Sequence, residues 1–110
     1  MTYSEIVSMV GEIGLPFAYD HFAEGDSQDP PFIVFRLPDS DNFGADNVVY
    51  KEIVGLDIEL YTDTKRPDLE KAVKDVLNGH EIFFQVSDAV WIASEKMYVT
   101  PFEMEVFYEQ

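Results

Sequence analysis

Residues 55–62, GLDIELYT, set Leu56, Ile58 and Leu60 against Asp57, Glu59 and Tyr61. Apolar and polar side chains alternating with period two mark a strand that buries one face and wets the other. A second run does the same over a longer stretch: Tyr98, Thr100, Phe102, Met104, Val106 and Tyr108 point one way, and Val99, Glu103, Glu105 and Phe107 the other. Two strands of this kind need a sheet with one covered face, and something apolar must cover it.

Two amphipathic helices supply the cover. Thr2 and Glu5 have the spacing of a capping box, followed by the stripe Ile6, Met9, Val10, Ile13 and a stop at Gly14, with Pro16 beyond it. Pro67 suits a first helical turn, Leu69, Ala72, Val73, Val76 and Leu77 form a stripe, and Asn78–Gly79 ends it. Glu70 precedes Lys74 by four, the favourable order for a surface ion pair.

The remaining runs read as strands: 17–22, 32–37, 48–62 and 81–87, with 89–93 either extending the last of these or forming an arm of its own. Pro30–Pro31 makes an extended lead-in to 32–37. Strands 32–37 and 48–62 are expected to pair as an antiparallel hairpin. Pro101 removes a ladder donor and predicts an edge position or a bulge. With no repeat and no linker, residues 1–110 read as one α+β domain. Its mostly antiparallel sheet carries two helices on one face, in the order α-β-β-β-α-β-β.

Composition narrows the function. The chain has no cysteine, which removes disulfides and thiolate metal sites. No apolar run approaches about 18 residues, and the N-terminus lacks a basic signal-peptide region, so a cytosolic product is expected, away from membranes. Its 22 acidic against 7 basic residues, net −15, oppose adhesion to nucleic acid. The basic residues are clustered: none precedes Arg36, none follows Lys96, and five fall between Lys51 and Lys74. Either the skew is incidental, or such a chain meets itself head to tail, basic patch to acidic patch.

The ten residues Pro38 to Asn47 form a long hairpin connection with Asp39, Asp41, Asp46, Phe43 and Gly44. Counted from Asp39 as an EF-hand, Asp41 and Gly44 fit, but Phe43 occupies position 5 and Tyr50 position 12. Two oxygen ligands are missing, which leaves only an irregular calcium site open.

Catalysis finds no better footing. None of the serines sits in a nucleophile elbow, and His21 and His80 are the only imidazoles. Asp20, His21 and Glu24 loosely suggest a metal or a general base, but strand alternation would put Asp20 and His21 on opposite faces. His80, just past the second helix, suits its dipole. No enzymatic activity, cofactor or metal is expected. The loop reads better as a docking element, with Phe43 either an aromatic anchor for a partner or folded back on its own sheet.

The segments LPFAYDHFAEGDSQDPPFIVFRLPDSDNFGADNVVY, DIELYTDTKRPDLEKAVKDVL and SEKMYVTPFEMEV resemble small tail-component proteins of phages and prophages of Gram-positive bacteria. They are similar to the tail terminator (tail completion, tail-to-head joining) family of long-tailed phages. The resemblance covers nearly the whole chain and rests on overall similarity, not on a catalytic signature. It implies an α+β subunit of a ring, usually a hexamer, that caps the tail tube protein where it meets the head connector protein. The location implied is the virion tail, after assembly in the host cytoplasm. In such a ring Asp39, Asp41, Phe43 and Asp46 would reach the lumen, the tube or a neighbour, and Lys65, Arg66, Lys71 and Lys74 would meet an acidic neighbouring surface. DNA would pass an acidic lumen without specific binding. The competing readings are a small acidic inhibitor or DNA mimic, and a neighbouring head–tail adaptor.

Overall fold

Lys51–Thr62 and Met97–Glu109 pair antiparallel over twelve consecutive residues, from Lys51 opposite Glu109 to Thr62 opposite Tyr98. A computed structural model describes residues 1–23, 25, 28–38 and 51–109. Its elements are α1 (Tyr3–Gly11), β1 (Phe17–Tyr19), β2 (Phe32–Arg36), β3 (Lys51–Thr62), α2 (Pro67–Gly79), β4 (Phe84–Val86), β5 (Val90–Ile92) and β6 (Met97–Glu109). The sheet runs β1-β2-β3-β6-β4, with β5 also pairing β6. All pairings are antiparallel except β1 with β2.

The α+β class, the element order and the placement of both helices on one sheet face are as the sequence predicts. Run 89–93 takes the second of its two options, a short strand of its own. Register aligns the apolar parity across three strands: Ile33 with Leu60, Phe35 with Ile58, Leu56 with Met104, Ile58 with Phe102. Ile6, Met9 and Val10 of α1 and Val73 and Leu77 of α2 close over that face, all fully buried.

The helix ends follow their local chemistry. Thr2 Oγ1 accepts from the Glu5 amide at 3.2 Å and Glu5 Oε1 from the Thr2 amide at 2.9 Å, completing the capping box. At the end of α2 the Ile82 amide reaches the Leu77 carbonyl and the Glu81 amide the Asn78 carbonyl, both at 3.0 Å, a Schellman motif. The left-handed position is therefore Glu81 (φ 58°), two residues past the Gly79 that ends the helix. Glu81 also puts a negative charge at the negative end of the helix dipole. Glu81→Gly is expected to stabilise the fold by about 1 kcal/mol, raising the thermal midpoint by about 4 °C in a calorimetric scan.

Several local expectations give way. The run 17–22 is a strand only to Tyr19, because Asp20 turns into the left-handed region (φ 66°). The Pro30–Pro31 bond is cis, not an extended lead-in. The expected strand 81–87 narrows to Phe84–Val86, since Glu81 and Ile82 are taken up by the helix cap. Pro101 lies in a strand paired on both sides, with no bulge in its register to β3. Its carbonyl accepts from the Ser87 amide at 3.2 Å. The N–H and C=O of a strand residue point to the same side, so the missing donor falls at the junction between β4 and β5, where no ladder needs it.

Candidate functional site

The face of the sheet away from the helices divides into a covered half and an open half. On the covered half, Phe32 stacks on Tyr61 (ring centroids 4.9 Å apart), and Phe22, arriving from the loop after β1, meets Phe32 edge-on at 5.3 Å. Arg36 Nη2 donates to Glu59 Oε1 at 2.8 Å, and the Tyr61 hydroxyl donates to the same oxygen at 3.0 Å. Arg36 Nε lies 3.8 Å from Asp20 and, among the described residues, makes no hydrogen bond.

Burial, then the Glu59 charge and the hydrogen bond to it, push the Tyr61 phenol up to about 12. The folded chain thus keeps this proton where an unfolded chain, ionising near pH 10, has lost it. The stability tied to Tyr61 is full below about pH 10 and is lost as pH rises toward 12. Urea midpoints measured across that window should fall more steeply for the native chain than for Tyr61→Phe.

The open half lies where β3 runs past β2. The last β2 pairing is Arg36 with Asp57, so among the described residues Lys51–Leu56 pair with β6 alone. On this extension Ile53 faces Phe107 directly across the ladder, and the two are 62% and 66% exposed. Phe83, just before β4, is 83% exposed. Phe83 also borders a shallow depression of about 550 Å³ lined by Asp57, Glu103 and Glu105. Three large apolar side chains in water beside carboxylates are characteristic of a surface that another protein covers.

Among the described residues the two histidines and the acids beside them do not gather into one site. Asp20 and His21 meet (Oδ2 to Nδ1, 2.9 Å), contrary to the opposite-face expectation, because the left-handed Asp20 breaks the alternation. Both side chains stand mostly in water. Glu24 lies outside the described residues. His80 is the C-cap of α2, but its Nε2 also contacts Glu12 Oε2 at 2.8 Å, tying together the ends of both helices, as Glu12 caps α1. Among the described residues no group of three or more potential ligands could hold a metal ion, and no helix is long and apolar enough to cross a membrane.

The sequence-expected contact residues fare unequally. Asp39, Asp41, Phe43 and Asp46 lie outside the described residues. Arg66, the N-cap of α2, forks onto Asp68 at 3.0 and 2.9 Å, and Lys71 pairs with Asp75 at 2.7 Å. The expected Glu70–Lys74 pair does not form; a lysine and carboxylate one position further on meet instead. Lys65 Nζ sits 5.9 Å from the centre of the Tyr98 ring. The basic cluster is therefore partly neutralised within its own chain, leaving Lys65 and Lys74 as the cations of that set with no ion pair among the described residues. Alternation already placed Phe107 on the charged side, which was the legible signal of an exposed patch. Ile53 and Phe83 join it only through register and the start of β4. The chain matches no protein-family model, no curated protein and no solved structure.

Proposed function

We propose that this protein is a structural tail component of a phage or prophage, a tail terminator that assembles as a ring on the tail tube protein and joins it to the head connector protein. The observation that carries the reading is the open half of the sheet, where Ile53, Phe83 and Phe107 stand in water on the face turned away from both helices. An assembly subunit needs such a surface, and burying it against a partner is favourable by roughly 25 cal/mol for each Å² of apolar area. The resemblance in sequence supplies the identity of the assembly.

In this reading Lys65 and Lys74 are the cations available to a neighbour, while Arg66 and Lys71 would have to exchange partners. The loop residues Asp39, Asp41, Phe43 and Asp46 dock on the tube or line the lumen, where carboxylates keep DNA moving. Electron microscopy of tail tubes mixed with the purified protein tests the proposal. A ring at the head-proximal end supports it; binding to the connector alone reassigns the chain as a head–tail adaptor.

One observation favours a second reading. Asp57 faces Glu103 across the ladder, and Glu105 follows Glu103 at about 6.7 Å along the strand. Rows of carboxylates at that repeat suit an acidic inhibitor of a nucleic-acid enzyme. A chain that ignores tubes and binds a basic enzyme instead would replace the tail proposal with this one.

A further inference from the structure

On the open half of the sheet, apolar surface and uncompensated negative charge lie side by side. Phe107, Glu105 and Glu103 project from one face of β6 at successive steps of about 6.7 Å. Phe83 borders the same depression, and Gly55, opposite Glu105 in the ladder, adds no side chain to its floor. Both glutamates are exposed and form no ion pair among the described residues. Each cation near them has a carboxylate of its own close by. The Met1 ammonium donates to the Phe107 carbonyl, in a neighbouring depression that Glu5 and Glu81 also line. His80, on that depression, contacts Glu12, and Lys51 lies opposite Glu109 in the ladder. Arg36, opposite Asp57, is held at 2.8 Å by Glu59. Glu103 and Glu105 are left over.

The chain's own cations do not suit this surface. Of its seven Lys and Arg residues, Arg36 is bound to Glu59, and every other has an acid within two positions. Lys51 precedes Glu52, Lys65 follows Asp63, and Arg66 precedes Asp68. Lys71 follows Glu70, Lys74 precedes Asp75, and Lys96 follows Glu95. The exposed aromatic at the far end of the sheet, Trp91 packed edge-on against Tyr98, is no exception. There Lys65 and Lys96 stand among the exposed Asp63, Asp88 and Glu95. A second copy, itself at net −15, would bring carboxylates against Glu103 and Glu105 whichever surface it offered.

We infer that the open half docks a basic, apolar segment of a different protein, with an arginine of that partner laid against Phe83 and Phe107 and its guanidinium between Glu103 and Glu105. Arginine suits the site better than lysine does. Its planar cation stacks on aromatic rings, pairs with carboxylates through a fork of N–H groups, and sheds water more readily than an ammonium. Apolar residues of the same segment cover Ile53, whose exposure the charges alone leave unexplained. Unlike charge then selects the partner, and the rings supply the area. The inference rests on the reading of the open half as a partner surface. It assigns that half to a heterologous protein and leaves contacts between ring neighbours to other surfaces.

Titration with a short capped peptide of alternating leucine and arginine, followed by amide chemical shifts, tests it. Peptides with glutamate in place of arginine, and with serine in place of leucine, are the controls. The leucine–arginine peptide should shift amides in 53–57, 83–85 and 103–107 and bind more tightly than either control. Glu105→Lys and Phe107→Ser should each weaken it about tenfold, with native circular dichroism because both positions are exposed. Glu95→Lys, at the far end of the sheet, should leave it unchanged. No binding, equal binding by the serine–arginine peptide, or equal weakening by Glu95→Lys overturns the inference, the last two because bulk charge would suffice. A native chain that self-associates in light scattering and stops doing so on Phe107→Ser also overturns it, since a second copy would then cover the face. Peptide binding at the open half by a chain that never decorates tail tubes keeps the docking surface and removes the tail-terminator reading. Tube decoration by a chain that binds no peptide, unaltered by Glu105→Lys and Phe107→Ser, does the reverse.

Discussion

Replacing Phe102 with alanine is expected to cost about 3–5 kcal/mol. Phe102 is fully buried at the middle of β6, where it faces Ile58 of β3 on one side and Val86 of β4 on the other. Its ring lies 6.1 Å from that of Phe84. Three strands lose contacts at once, and neighbours held in a hydrogen-bonded sheet collapse poorly into the space left behind. Set against the roughly 5–15 kcal/mol that hold a domain of this size together, the loss removes a large share of its stability. Urea unfolding should show a much lower midpoint, with a slope near that of the native chain if the variant still folds cooperatively. The same truncation at Phe107, 66% exposed, should leave the midpoint within about 0.5 kcal/mol of native. Equal losses at the two sites would contradict the division of the sheet into a covered and an open face.

Removing Arg36 is the second large effect and acts by a different route. Arg36→Ala takes away the guanidinium that holds Glu59 at 2.8 Å, leaving a carboxylate only 21% exposed with the Tyr61 hydroxyl as its remaining side-chain donor among the described residues. A hydrogen bond to a charged group contributes about 1.5–3 kcal/mol. Arg36 is 37% exposed, so solvent screening brings the expected loss to about 1–2 kcal/mol. The cost belongs to the stranded charge. Glu59→Gln in the Arg36→Ala background should therefore recover part of it, whereas Glu59→Gln alone should destabilise. A double-mutant cycle in urea reads that coupling directly. Strictly additive losses would mean that the pair contributes nothing.

Local rules that depend on a few neighbouring residues carried through to the structure. The capping box at Thr2–Glu5, the Pro67 start of α2 and the parity of β3 and β6 each rest on contacts within a single element, and each was legible. Expectations that depended on a neighbour in space did not transfer as well. Strand 17–22 ended early because Asp20 bends left-handed and donates its amide to the Phe35 carbonyl of the adjoining strand. Glu70–Lys74 yielded to Lys71–Asp75, because several ion pairs are open to one helix surface and rotamers choose among them. Pro101 read as an edge signal, but it is tolerated inside because β4 and β5 leave a gap opposite it.

The candidate surface was half legible for the same reason. Phe107 is visible in the sequence as an aromatic on the polar side of an alternating strand. By itself the sequence determined which faces of the strands and helices are apolar, and hence that two helices cover one side of a sheet; period-2 and period-3.6 patterns are local quantities. Only the tertiary structure decided that β3 outruns β2, that Ile53 stands opposite Phe107, and that Lys65 reaches Tyr98. Those are matters of register and of how elements far apart in the chain close over one another, set by the packing of one shared core and carried by no single stretch of residues.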